Sequence, residues 1–142
     1  MTDATELKIQ GYASRFGERD LAGDIVCPGA FAASLLARPA PRPMLHAHDT
    51  DAPVGVWDRL VEDATGLWVE GRILLSPGTE TLARLVRAGS VSGLSIGYRT
   101  LRSRQTFGGR ELLEIDLWEV SVVAFPMLPT ARLQLTPQRI AA

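Results

Sequence analysis

The sequence predicts one mostly β domain with two short helices, folded as a closed or nearly closed barrel. Two observations lead to this prediction. Segments in which apolar and polar residues alternate recur along the whole chain, and turn residues separate them. The length of 142 residues, with 46% hydrophobic and 22% charged residues, is typical of one ordinary globular domain. We therefore expect residues 1–142 to form a single domain.

The predicted strands begin near the N-terminus and are separated by short turns. They are residues 7–14, 44–48, 54–61, 66–75, 91–98 and 112–125, with one more short strand after Met127. Residues 25–27 form a short apolar segment that Pro28 and Gly29 close. Strands 54–61 and 66–75 form a β-hairpin. The polar segment 99–110 is either the tip of a hairpin or a loop. The domain core is expected over residues 7–133 and a flexible tail over residues 134–142.

Two segments have the composition of short helices. Residues 30–37 are rich in alanine and leucine, which favour helix, before a series of prolines holds the chain extended. The second helix follows Thr79, a residue suited to the N-cap position, and ends at Gly89. Its apolar stripe consists of Leu82, Leu85 and Val86.

The composition narrows the classes of function. The net charge of −1 gives no reason to expect nucleic-acid binding. The single cysteine, Cys27, excludes an internal disulfide and a zinc–thiolate cluster. The N-terminus is unlike a secretory signal, and no apolar run has the roughly 20 residues that cross a bilayer. We therefore expect a soluble protein of a reducing cytoplasm.

The most unusual predicted strand is residues 91–98, because a serine lies there between two glycines. Alternation gives the strand two faces, one with Val91, Gly93, Ser95 and Gly97 and the other with Ser92, Leu94, Ile96 and Tyr98. The apolar residues of the second face predict that this face packs against the core. The first carries few side chains, which leaves space for a ligand beside Ser95 and lets Gly97 help to shape an oxyanion pocket.

Two further features supply the other parts of a nucleophilic hydrolase. Both histidines of the chain, His46 and His48, lie in a strand-like segment that ends at Asp49. Glu119 interrupts the apolar face of a predicted strand, and a buried carboxylate is costly unless it is paired. A serine nucleophile needs a base such as histidine, and a carboxylate can hold that histidine in the right tautomer.

The spacing alone leaves alternatives open for the nucleophile and the acid. Ser92 and Ser121 compete with Ser95, although Ser121 shares a face with Glu119 and can hydrogen-bond to it instead. Asp116, on the opposite strand face, is the lesser candidate for the acid. Pairing with an arginine would explain Glu119 equally well.

The histidines also permit two interpretations. His46 and His48 share one face of an extended segment, so spacing does not choose between them. Because zinc accepts both histidine and carboxylate ligands, a zinc hydrolase built on His46, His48 and Asp49 is a further alternative.

A series of short motifs runs in order through nearly the whole chain. They are residues 11–13, 24–31, 44–49, 53–55, 66–71, 93–98 and 119–123, then Pro126 and residues 129–131. This ordered set resembles the prohead (capsid maturation) serine proteases of tailed bacteriophages. The resemblance implies an antiparallel β-barrel similar to that of the herpesvirus assemblins.

The resemblance also implies roles for individual residues. In the family motif the histidine directly before an acid is catalytic, which corresponds to His48, and the nucleophile corresponds to Ser95. Glu119 occupies the strand position of the third member. The assemblins use a second histidine for that role, for which His46 would be the candidate.

These roles imply a serine endopeptidase without cofactor or metal. Its implied substrate is the scaffold or the N-terminal extension of the major capsid protein, and the enzyme itself can also be cut. It would act as a homodimer or larger homo-oligomer inside the assembling prohead, in the cytoplasm of the bacterial host, beside portal and other prohead components. Neither nucleic acid nor a membrane is an expected partner. The alternative is a catalytically inactive capsid assembly or scaffolding module with the same fold.

Overall fold

A computed structural model describes residues 5–137 as eight strands and two short helices. The elements are β1 (Glu6–Arg15), β2 (Asp24–Val26), α1 (Ala32–Ala37), β3 (Arg42–His46), β4 (Pro53–Glu62), β5 (Gly66–Leu74), α2 (Glu80–Arg87), β6 (Gly93–Thr106), β7 (Gly109–Val123) and β8 (Leu133–Leu135). The prediction of a mostly β fold with two short helices is confirmed.

The strands form one mixed sheet that curls into an open half-barrel. The long strand β7 is its centre. One edge of β7 pairs with β6 in antiparallel fashion, whereas its other edge is shared by β2 and β3, which both run parallel to it. From β3 the sheet continues through β4, β5 and β1 to β8 by antiparallel ladders.

The predicted closed or nearly closed antiparallel barrel is therefore wrong in both closure and strand direction. Within residues 5–137 no continuous ladder joins β8 to β6, and the two come together at an isolated bridge between Gly93 and Arg132. Alternation of apolar and polar residues reports which face of a strand is buried. It does not report whether neighbouring strands run parallel or whether the sheet closes.

Two long hairpins build most of the sheet. The predicted hairpin of β4 and β5 is confirmed. The segment 99–110 forms the distal half of the hairpin of β6 and β7, which stay paired as far as Thr106 and Gly109. Gly108 in its turn has a φ of +85°, a backbone conformation that glycine adopts without steric cost.

The core receives side chains from the long strands and from both helices. Its largest fully buried members are Trp57, Phe31, Ile9, Met44, Leu67, Ile73, Leu94 and Leu112. α2 buries Leu82 and Val86, but Leu85 of the predicted apolar stripe is exposed. Thr79 occupies the N-cap position as predicted, yet its hydroxyl donates to the carbonyl of Leu74 at 2.6 Å and makes no capping bond.

The helices and the C-terminal segment complete the description. α1 begins at Ala32, two residues later than predicted, and is only six residues long. In residues 5–137, neither helix is long and apolar enough to cross a membrane. Within the expected tail, Gln134 and Leu135 pair with β1, whereas residues 138–142 lie outside the described part of the chain.

Candidate active site

Ser95 lies on β6, directly opposite Ser121 of β7, and is almost fully buried. It lines a cleft of about 200 Å³ that opens between β6, the start of β2 and the segment around Met127. Leu94 is fully buried in the core as predicted, and Ile96 and Tyr98 are half-buried and pack against the core. All three also line this cleft beside Ser95. The space next to the serine is therefore bounded by both faces of the predicted strand.

His48 reaches this serine from a sharp turn that follows β3. Ala47 and His48 have φ values of +53° and +63°, in the left-handed region that residues other than glycine rarely occupy. The amide of Ala47 donates to the carbonyl of Val122 at 3.0 Å, and that of Asp49 donates to the carbonyl of His46 at 3.0 Å. Two consecutive residues in this region are strained, and such strain is common at functional sites.

The turn brings the imidazole of His48 between Ser95 and Glu119. The His48 Nε2 atom lies 3.1 Å from the Ser95 hydroxyl oxygen, and Nδ1 is in hydrogen-bond contact with Oε1 of Glu119. Because a carboxylate only accepts hydrogen bonds, Nδ1 carries the proton and Nε2 of the neutral ring is the acceptor. The Ser95 hydroxyl then donates to Nε2, which is the orientation that proton removal requires.

The carboxylate of Glu119 is oriented by Ser121 and by Gly97. The Ser121 hydroxyl donates to Oε2 of Glu119 at 2.8 Å and accepts the backbone N–H of His48 at 3.0 Å. Gly97 lies opposite Glu119, and a Cβ atom there would be 2.7 Å from Oε1. Gly97 therefore makes room for the carboxylate, a role that the sequence pattern did not indicate.

Glu119 also changes the acidity of His48. Their hydrogen bond raises the pKa of His48 above its ordinary value near 6.5. Partial burial opposes this rise, and the charge of Glu119 reinforces it. The side chain of His48 is 44% exposed, so solvent screens part of the interaction.

The other candidates from the sequence lie outside this group. Ser92 accepts a hydrogen bond from Arg132 at 3.0 Å, and Asp116 pairs with Arg38. His46 is the last residue of β3 and precedes the turn that contains His48. It takes no part in the contacts that join Ser95, His48 and Glu119. Among residues 5–137 no group of three or more His, Cys, Asp and Glu side chains is arranged to hold a metal ion.

The family of this chain follows from comparison with known sequences. The family model described as caudovirus prohead serine protease matches residues 1–142. The chain belongs to this family. The prohead protease of Enterobacteria phage HK97 is 39% identical over 140 residues, which cover 87% of this chain and 61% of that protein. The chain thus spans about three-fifths of the length of that relative.

Solved structures of low sequence identity share the fold of this prohead protease family member. A structure of the Kaposi's sarcoma-associated herpesvirus protease, in complex with a hexapeptide phosphonate inhibitor, superposes with a TM-score of 0.64 at 16% identity and covers 94% of this chain and 66% of its own. The capsid assembly protease of bacteriophage T4 gives a TM-score of 0.61 at 18% identity, over 82% of this chain and 80% of its own. The resemblance to phage prohead proteases is confirmed.

One contact of the site could not be read from the sequence, whereas a second one could. The bond from the His48 amide to Ser121 depends on the left-handed turn, and no glycine marks that turn. The bond from Ser121 to Glu119 agrees with the sequence pattern, because the two residues share a strand face.

Proposed function

We propose that this protein is a serine endopeptidase with Ser95 as nucleophile, His48 as general base and Glu119 as the residue that orients His48. The observation that carries the proposal is the chain of contacts from Ser95 through His48 to Glu119, with 3.1 Å between the hydroxyl oxygen and Nε2. These three residues come from β6, from the turn after β3 and from β7. Side chains from three separate segments have thus been brought into the order that acyl transfer needs.

In this mechanism the Ser95 oxygen attacks the carbonyl carbon of the scissile peptide while Nε2 of His48 takes the hydroxyl proton. The resulting imidazolium is stabilised by the carboxylate of Glu119, and its proton passes to the departing amine. The amine leaves with the C-terminal part of the substrate, and the N-terminal part stays as an ester on Ser95. A water molecule, deprotonated by His48, then cleaves the ester and restores the serine.

The cleft beside Ser95 is the place where a substrate side chain would be held. Its wall next to the serine is formed by Leu94, Ile96 and Tyr98, and Val26 and Met127 contribute further apolar surface. Apolar walls with few polar groups are typical of sites that bind an extended peptide or small ligand. The rim also carries Glu18 and Asp20.

We further propose that the substrate is the scaffold or the N-terminal extension of the major capsid protein, cut inside the assembling prohead, and that the protease also cuts itself. Membership of the prohead serine protease family and the relation to the HK97 prohead protease support this assignment. The same family context supports action in the bacterial host as an oligomer concentrated within the shell.

Co-expression with the capsid precursor tests the proposal. With the wild-type protein, the precursor should be cut at one defined peptide bond, and its intact mass should fall. With Ser95→Ala, the intact mass should remain unchanged. Ser92→Ala is the matched control, because this serine lies three residues away and contacts Arg132 rather than His48; it should cleave as the wild type does.

Two outcomes would contradict the proposal. Cleavage by Ser95→Ala at the wild-type rate would place the nucleophile elsewhere. Assembled proheads without cleavage by any variant would favour the alternative function, a catalytically inactive capsid assembly or scaffolding module.

A further inference from the structure

The pairing of β7 with β6 is irregular immediately before Glu119. In the pairing of β6 with β7, Gly97 lies opposite Glu119, but the next residue, Tyr98, lies opposite Leu117. Trp118 is therefore an extra residue without a partner on β6, and 55% of this residue is exposed. Such a β-bulge changes the direction in which neighbouring side chains point. The direction of the Glu119 side chain thus depends on this bulge.

Two buried side chains hold the backbone of the bulge. The hydroxyl of Ser34, on α1, accepts the N–H of Leu117 at 2.8 Å. Nη2 of Arg42, the first residue of β3, donates to the carbonyls of Leu117 at 2.8 Å and Trp118 at 2.6 Å. We call Ser34 and Arg42 the bulge clamp. Both backbone groups of Leu117 are bonded to the clamp, so the bulge is fixed from two elements that are distant in sequence.

Burial of the Arg42 side chain at this position is energetically unfavourable. Only 8% of Arg42 is exposed, and its Nη1 atom is buried without a hydrogen-bond partner among residues 5–137. Burial lowers the pKa of Arg42, the neighbouring charge of Arg38 acts in the same direction, and the charge of Glu119 acts in the opposite one. An unpaired buried cation does not favour stability. Its two short bonds lie at the bulge, which favours a role in placing Glu119.

We propose that the bulge clamp positions the Glu119 carboxylate against His48, with Arg42 as a positioning residue that acts through the β7 backbone. The catalytic part of this inference rests on the proposed protease function. Its geometric part, the contact between Glu119 and His48, does not. Second-layer residues of this kind hold a reacting group to within the small tolerance that catalysis allows.

The first test is spectroscopic and requires no substrate. Nitrogen-15 labelled protein should show the Nδ1–H signal of His48 in its hydrogen bond to Glu119, and loss of this signal in Glu119→Gln should identify it. Arg42→Met should shift or broaden the signal, and Ser34→Ala should do so to a smaller extent. Arg72→Met is the matched control, because Arg72 links neighbouring strands by bonds to Asp58 and Glu6 away from His48. It should leave the signal unchanged.

The second test uses kinetics on the cleaved capsid precursor. Arg42→Met should lower kcat by about 100-fold with little change in KM, since misplacement of about 1 Å has effects of this size. Arg42→Lys keeps the charge and should recover part of the loss. In a Glu119→Gln background, Arg42→Met should have almost no further effect, because the group that the clamp positions is already impaired.

The outcomes distinguish failure of the clamp proposal from failure of the proposed protease function. An unchanged His48 signal in folded Arg42→Met, or a full and independent loss of kcat in the Glu119→Gln background, would overturn the inference. A shifted signal in a protein whose wild type cleaves nothing would retain the clamp and refute the protease. If Arg42→Met does not fold, Arg42→Lys and Ser34→Ala carry the same test.

Discussion

The two long hairpins use one backbone arrangement for two purposes. In the β4–β5 hairpin, Gly71 lies opposite Trp57, and a Cβ atom on Gly71 would be 2.5 Å from Cε3 of the indole. In the β6–β7 hairpin, Gly97 lies opposite Glu119 in the same way. In both hairpins the register shifts beside this pair. A glycine next to a bulge thus lets a large side chain lie across the neighbouring strand.

The difference lies in what each side chain meets. Trp57 is fully buried, and its Nε1 donates to the carbonyl of Val120 at 3.0 Å, which ties β4 to the strand that carries the site. Glu119 instead contacts Ser121 and His48, and His48 lines the cleft beside Ser95. The same local geometry supports stability where the side chain is buried in the core and, in the proposed mechanism, chemistry where the side chain contacts His48. Substitutions should therefore separate the two effects.

The largest effect is expected from removal of the proposed nucleophile or base. Ser95→Ala or His48→Ala should lower kcat/KM at least about 1000-fold, because acyl transfer loses its central groups. The thermal midpoint of Ser95→Ala should stay close to that of the wild type, since this change opens no apolar cavity in the core. His48→Ala should lose only the small stabilisation that its bond to Glu119 provides. Assay of precursor cleavage together with thermal unfolding measures both. A parallel loss of stability and activity would remove the distinction between the hairpins.

Glu119→Gln should have a smaller effect, about 100-fold in kcat/KM, because nucleophile and base remain but the orientation of His48 is impaired. Trp57→Phe is its counterpart in the other hairpin. It leaves the buried carbonyl of Val120 without its donor and should cost about 1–3 kcal/mol of unfolding free energy, with the activity of the folded fraction retained. Denaturant titration measures the unfolding free energy of both variants, and cleavage kinetics measure their kcat/KM.

The two glycines allow the most closely matched comparison. Gly97→Ala should push the end of the Glu119 side chain aside and lower kcat/KM about 10- to 100-fold, with little loss of stability because that side chain is flexible. Gly71→Ala forces a methyl group against the rigid indole and the Val56 carbonyl, and should cost about 1–3 kcal/mol. If both changes acted mainly on stability, the proposed division of roles would fail.

The smallest effect concerns pH. The hydrogen bond to Glu119 raises the pKa of His48, and the base must be neutral, so kcat/KM should fall as the pH drops through a midpoint above 6.5. In Glu119→Gln this midpoint should move down. The same bond also stabilises the folded protein. This contribution is fully present below the pKa of His48 in the unfolded chain, and it is lost as the pH rises through the higher pKa of His48 in the folded protein. Thermal midpoints of wild type and Glu119→Gln across this range measure the second effect.

Part of this architecture could be predicted from local sequence signals. Strands and the β4–β5 hairpin follow from alternation and turn residues, and the bond between Ser121 and Glu119 follows from their shared face. The ordered motifs of the sequence, through their resemblance to a known family, indicate Ser95, His48 and Glu119 as the catalytic candidates. Their proximity matches that choice, and their catalytic roles remain predictions.

The rest depends on contacts that no local pattern encodes. Arg42 lies among prolines in the sequence, and nothing there indicates a buried side chain that reaches β7. The left-handed turn at Ala47 and His48 breaks the alternation that made His46 and His48 equivalent. Alternation also cannot predict that β2 and β3 run parallel to β7, or that within residues 5–137 no continuous ladder joins β8 to β6.

Covalent labelling tests the central claim most directly, because it needs no knowledge of the substrate. A fluorophosphonate reacts with an activated serine by forming an oxygen–phosphorus bond with loss of fluoride. Intact mass should show one adduct on the wild-type protein, peptide mapping should place it on Ser95, and both Ser95→Ala and His48→Ala should remain unlabelled while Ser92→Ala is labelled normally. An adduct on another residue, or labelling of His48→Ala at the wild-type rate, would contradict the account.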